Sequence, residues 1–130
     1  HDVAEAAATY DLKSVAYDRW RINDFKRELD ELGCTVPLEA FGQGFRDMSP
    51  AVDTLERQVA EKLLRHGGNP VLTMCASNAT VTRDPAGGRK LDKAKSTGRI
   101  DGLVALAMAL QTAGRFEGPA VYAGDGPMWV

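Results

Sequence analysis

The spacing of apolar positions changes several times along the chain, and each change marks an element. Val3, Ala6, Ala7 and Tyr10 recur at helical intervals, which predicts a short amphipathic helix over residues 2–11. Ser14-Val15-Ala16-Tyr17 is a compact run that reads as a buried strand ending at Asp18. Ile22, Phe25, Leu29 and Leu32 then fall at i, i+3, i+7 and i+10, the stripe of a helix over 21–32. Gly33 stands where a closing glycine belongs. Cys34 to Leu38 reads as a second strand, whose end Pro37 demotes to a sheet edge. Helix, strand, helix, strand predicts an α/β layer with parallel strands.

The next segment, FGQGFRDM, is glycine-rich with two aromatics read as exposed, and is expected to be a loop: either a partner contact or a packed turn. Ser49-Pro50 looks like an N-cap followed by proline at the first helical position. Val52, Leu55, Val59, Leu63 and Leu64 then form the apolar face of a helix over 50–65, closed by His66-Gly67-Gly68. Asn69-Pro70 is read as opening another helix, with Val71, Leu72, Met74 and Cys75 as apolar positions, and its poor periodicity leaves a strand as the alternative. The β-branched Thr80, Val81 and Thr82 favour an extended backbone, and Asp84 to Gly88 is a turn cluster. Residues 100–113, IDGLVALAMALQTA, predict a helix buried on most of its surface. The glycine- and proline-rich residues 114–130 read as an irregular tail, which leaves one domain over 1–113.

Composition narrows the class. A chain of 130 residues with 44% hydrophobic content can bury one core. The net charge of −2 creates no global positive field, so any DNA contact must come from a local patch. Cys34 and Cys75 have no metal-ligand spacing and are expected to be buried free thiols. No apolar run approaches the roughly 20 residues of a membrane span, so no membrane partner and a cytoplasmic location are expected. The chain lacks an initiator Met and opens directly into a helical stretch, which is expected of a fragment.

Two aspartates stand where chemistry gathers. Asp18 closes a predicted inner strand, the edge at which open α/β sheets collect ligands; it is equally a strand-end turn residue. Asp101 opens the most apolar helix, where a carboxylate could bind a divalent cation or simply complement the helix dipole. The stretch before it, residues 89–99, holds five basic residues, Arg89, Lys90, Lys93, Lys95 and Arg99, against one acid. It reads as a solvated loop or as a loop contacting DNA phosphates, with Lys93 placed to stabilise charge on a scissile phosphate. His66 fits the end of the preceding helix better than a catalytic base.

Five ordered pieces, AYDRW (16–20), FGQGFRDMSPA (41–51), HGGNPVL (66–72), SNA (77–79) and DKAKSTGRIDGLVALAMAL (92–110), resemble the large terminase subunits of tailed phages and prophages. The resemblance covers residues 15–113, and the RIDG segment leading into an apolar helix is its most specific part. It implies an RNase H-like fold, a mixed sheet flanked by helices. It also implies an endonuclease that cuts concatemeric DNA with clustered acids and Mg²⁺ or Mn²⁺. Asp18 and Asp101 map onto two of those acids, and Lys93 onto the basic residue beside them. Double-stranded DNA, a small terminase subunit and a portal protein are the implied partners, in the host cytoplasm. The family's first acid lies on a strand upstream of the helix at 2–11, and no such strand stands here. No GxxxxGK[ST] loop is present either, so the packaging ATPase is not in this chain. Weak or absent nuclease activity is therefore expected of the chain alone. A non-catalytic RNase H-like assembly or DNA-binding module is the alternative, and an unrelated small α/β domain a third.

Overall fold

The computed structural model describes residues 1–20 and 22–116; the tail expected over 114–130 lies outside them from residue 117 onward. The chain forms two compact units, His1–Gln43 and the part from Gly44 onward.

The first unit is built from α1 (Asp2–Thr9), β1 (Val15–Asp18), α2 (Ile22–Glu31) and β2 (Leu38–Phe41). The two strands pair in parallel, with Val15 opposite Leu38 and Asp18 opposite Phe41, and α2 makes the crossover. This is the α/β unit that the alternation predicted. Gly33 closes α2 as expected. Its φ of +62° lets the Cys34 N–H reach the Leu29 carbonyl at 2.9 Å and its own N–H reach Asp30 at 3.0 Å. The second strand, however, lies further along than Cys34 to Leu38. Proline has no N–H to give to a ladder. Pro37 contributes only its carbonyl, which accepts from the Val15 N–H at 2.8 Å, and regular pairing begins after it. Phe41, read as an exposed loop aromatic, is instead the buried last residue of β2.

The second unit comprises α3 (Phe45–Ala60), α4 (Pro70–Asn78), β3 (Val81–Arg83), β4 (Arg89–Leu91) and α5 (Asp101–Ala113). β3 and β4 form an antiparallel hairpin around the predicted Asp84–Gly88 turn. Parallel and antiparallel pairing are thus both present among the described residues, in two separate two-stranded sheets. The core lies where α3 packs on α5, with Met48, Ala51, Val52 and Leu55 against Ile100, Leu103, Val104, Ala107 and Met108. Ala51 and Ala107 are fully buried, which lets the helices approach closely.

The sequence placed α3 five residues too late. It begins at Phe45 with Gly44 as N-cap, so Pro50 lies inside it and Ser49 is no cap. The reason is the apolar stripe: Met48 extends the buried row of Ala51, Val52 and Leu55 upstream of the proline, and burying it outweighs one lost backbone hydrogen bond. Ser49 Oγ instead accepts from the Arg89 N–H at 3.0 Å and ties β4 to the helix. At the other end α3 stops at Ala60, before the expected 65. Lys62 takes φ +57°, and the Lys62 and Leu63 N–H groups turn back to Val59 at 3.1 Å and Gln58 at 2.9 Å. Val59 and Leu63, counted in its apolar face, are exposed. His66 consequently lies beyond the helix, where its Nδ1 accepts from the Gly68 N–H at 3.1 Å.

The open choice at Asn69-Pro70 falls to a helix. Asn69 Oδ1 accepts from the Val71 and Leu72 N–H groups at 2.9 and 3.1 Å, and Pro70 takes the first helical position. Asn69→Ala is expected to cost about 1 kcal/mol in denaturant unfolding; no change would mean that the cap is redundant with tertiary packing. Cys75, on this helix, is a buried free thiol as expected, whereas Cys34 is only half-buried.

Candidate active site

The basic stretch is not one loop. Its first three residues are β4, and Arg89 turns toward α3, where its guanidinium donates to Asp53 and to Glu56 Oε2, the latter at 2.6 Å. Only 18% of the Arg89 side chain is exposed. The hydrogen bond from Arg89 and its charge hold the Glu56 carboxyl below the usual range, and the two acids push the guanidinium up. Arg89, proposed from sequence to contact DNA, already has two carboxylate partners. Lys90 lies over the Phe45 ring, 4.9 Å from its centroid. Because the folded Glu56 value is lowered, this cluster's stabilisation is present above the unfolded value near 4.3 and is lost as pH falls through the folded one. Arg89→Gln should therefore be less stable than the parent protein near neutral pH, with the gap narrowing in acid. A gap independent of pH in urea titrations would refute the ionic role.

Beyond β4 the chain is held by Asp92, which sequence reasoning counted only as the lone acid of the stretch. Its N–H donates to the Thr80 carbonyl at 2.8 Å, adding one bond to the hairpin. Its Oδ1 accepts from the Ala94 and Lys95 N–H groups at 3.0 and 3.1 Å. Ser96 Oγ donates to the Asp92 carbonyl at 2.6 Å and accepts from the Thr80 N–H at 3.2 Å. An Asp followed by a polar turn was the available signal.

This turn presents Lys93 to Asp101, the first residue of α5, with Nζ 2.5 Å from Oδ1. Both side chains are more than half exposed, so the pair adds little stability and stays open to other ligands. The hydrogen bond from Lys93 and its charge keep the Asp101 carboxyl below the usual range, and Arg99 adds to this. Ile100, next to Asp101, is 1% exposed and anchors the start of α5 in the core. A buried anchor beside an exposed carboxylate fixes where that carboxylate stands. Lys95 Nζ donates to Thr82 Oγ1 at 3.3 Å. The structure thus brings Lys93 to Asp101, leaves Lys95 on the same turn, and gives Arg89 to Asp53 and Glu56 on α3.

Asp18 ends β1 in the first unit, exposed, with Oδ1 accepting from the Trp20 N–H at 3.4 Å. Among the described residues no three His, Cys, Asp or Glu side chains cluster as a metal site. Asp18 in the first unit and Asp101 in the second are each an exposed carboxylate, the kind of oxygen donor that Mg²⁺ and Mn²⁺ take. No helix of the described residues is long and apolar enough to cross a membrane.

Comparison with known proteins places these motifs. The chain is 56% identical over 112 residues to the terminase large subunit of Enterobacteria phage HK97, an alignment covering 86% of this chain and 22% of that protein. The crystal structure of the HK97 large terminase superposes with a TM-score of 0.80 at 56% identity, over 85% of this chain and 23% of that one. The chain therefore spans about a fifth of the length of this relative. The family model described as the terminase large subunit, endonuclease domain, matches residues 3–117, which includes both aspartates and the whole turn before α5. The chain belongs to that family of terminase large subunit endonuclease domains.

Proposed function

We propose that this chain is the part of a DNA-packaging terminase that hydrolyses phosphodiester bonds of double-stranded DNA, with Mg²⁺ or Mn²⁺ as cofactor and Asp101, in the second unit, as a ligand; Asp18, in the first unit, is a candidate ligand by itself. The observation that carries the reading is the exposed Lys93–Asp101 pair at the start of α5, inside the span that matches the endonuclease family. When bound, the divalent ion would supply charge neutralisation for the attacking and leaving oxygens.

The side chains have separable tasks. Asp101, ionised throughout the neutral range, offers a hard oxygen donor at a fixed helix start. Lys93, once the carboxylate turns to a cation, is free to place its ammonium against a phosphate oxygen. Lys95 and Arg99 add a local positive rim, which positions a sugar–phosphate backbone without reading sequence. The rim is local, in keeping with a net charge of −2. In the whole protein the same reading has the domain cutting concatemeric phage DNA, alongside a small terminase subunit and a portal protein. The test is Mn²⁺-dependent nicking of supercoiled plasmid by a full-length large subunit carrying this domain, against the same protein with Asp101→Asn. Equal nicking by both would leave a non-catalytic DNA-binding role as the better reading.

A further inference from the structure

The turn that leads into Asp101 is clamped from α4 by one side chain, Asn78, at the helix's last position. Asn78 Nδ2 donates to the Arg99 carbonyl at 3.3 Å, and Oδ1 accepts from Thr97 Oγ1 at 3.3 Å. The Asn78 carbonyl also accepts from the Thr97 N–H at 3.3 Å. Between these two partners stands Gly98, where an added Cβ would lie only 2.7 Å from Asn78 Nδ2. The amide therefore fills the space that a side chain at 98 would need. Each hydrogen bond is long and individually weak, but together they hold three consecutive residues ending two positions before Asp101.

We propose that Asn78 is a positioning residue for Asp101: its carboxamide fixes the backbone of Thr97–Arg99 and thereby the place at which α5 presents its first carboxylate. The task needs a donor and an acceptor on one short planar group. Aspartate lacks the donor and would set a negative charge against the Arg99 carbonyl. Glutamine is one methylene too long for the gap beside Gly98. Serine cannot reach both partners. Asn78 hydrogen-bonds to Thr97 and Arg99, and Asp101 to Lys93, so Asn78 acts on Asp101 through the backbone of the turn. The inference rests on the reading of Asp101 as a metal ligand.

The experiment is a Mn²⁺ titration of the 130-residue chain, following paramagnetic broadening of the backbone amide signals of residues 99–103. It is run well below the unfolding temperature of every variant. The parent protein should show saturable broadening, and Asp101→Asn should abolish it. Asn78→Ala should raise the midpoint by roughly 10- to 100-fold, as loss of a group that orients a metal ligand does. A variant that merely loosened the fold would lower the unfolding temperature and leave this midpoint unchanged. Gly98→Ala should raise the midpoint in the parent background and add little to Asn78→Ala, because the new methyl then meets no amide. An unchanged midpoint in Asn78→Ala, with broadening still lost in Asp101→Asn, overturns the inference and leaves the site standing. Broadening that survives in Asp101→Asn overturns the metal-ligand reading itself. If Asn78→Ala does not fold, Thr97→Val and Gly98→Ala replace it, and unchanged midpoints in both overturn the proposal.

Discussion

Asp101→Asn is expected to lower Mn²⁺-dependent plasmid nicking by about 10²- to 10³-fold while leaving the fold almost as stable as before. A catalytic cation contributes several kcal/mol to a transition state that gathers charge, and each 1.4 kcal/mol is about tenfold in rate. Asparagine keeps the size of the side chain and an oxygen that can still accept from Lys93. The loss therefore reports the missing charge rather than a collapsed turn. The stability cost should stay below about 1 kcal/mol. The residue is exposed, its pairing with Lys93 is solvent-screened, and its remaining role is to complement the positive end of α5. Unfolding curves and nicking rates measured on the same preparations separate the two. Nicking at the parental rate would remove Asp101 from the catalytic site, and a large fall in stability would make the activity loss uninterpretable as chemistry.

Ile100→Ala is the converse, a substitution aimed at packing. Ile100 is 1% exposed and stands immediately before Asp101, and its carbonyl accepts from both the Leu103 and Val104 N–H groups at 3.0 Å. Truncating a buried isoleucine costs about 2–5 kcal/mol through lost apolar contact and the cavity left behind. The expected result is a fall in unfolding temperature on the order of 10 °C. A smaller fall in nicking should follow at temperatures where the protein stays folded, because the anchor that sets Asp101 in place is loosened. A loss under 1 kcal/mol would show that α3 and α5 close over the vacancy. Activity lost as completely as in Asp101→Asn would mean that the anchor, and not the carboxylate charge, is the sensitive part.

Much of the fold was legible in the chain itself, because period and punctuation are local. The i, i+3, i+7 stripe of α2, the strand ending at Asp18, the Asp84–Gly88 turn and the apolar helix opening at Asp101 depend on residues within one or two turns of each other. Gly33 was legible for the same reason, since a helix-closing left-handed backbone is local. Asp18 and Asp101 could be singled out as element ends, and ordered motifs tied them to a family.

What the sequence left open was set by contacts between distant segments. Pro50 reads as a helix start, yet burial of Met48 starts α3 five residues before it, and no local rule weighs that area against one lost hydrogen bond. Lys62 ends the helix in a conformation that lysine does not advertise. Apart from Lys93, the cations of residues 89–99 could not be told apart in sequence, but tertiary structure gave Arg89 to Asp53 and Glu56 and Lys93 to Asp101. Asn78 lay in the SNA piece of the resemblance, but nothing local gave its role, since its partners lie about 20 residues away and the contacts exist only once α4 and the turn before α5 are side by side. Sequence determined which residues could do chemistry; the packing of helix on helix and turn on helix decided which of them have partners and which stand ready for a ligand.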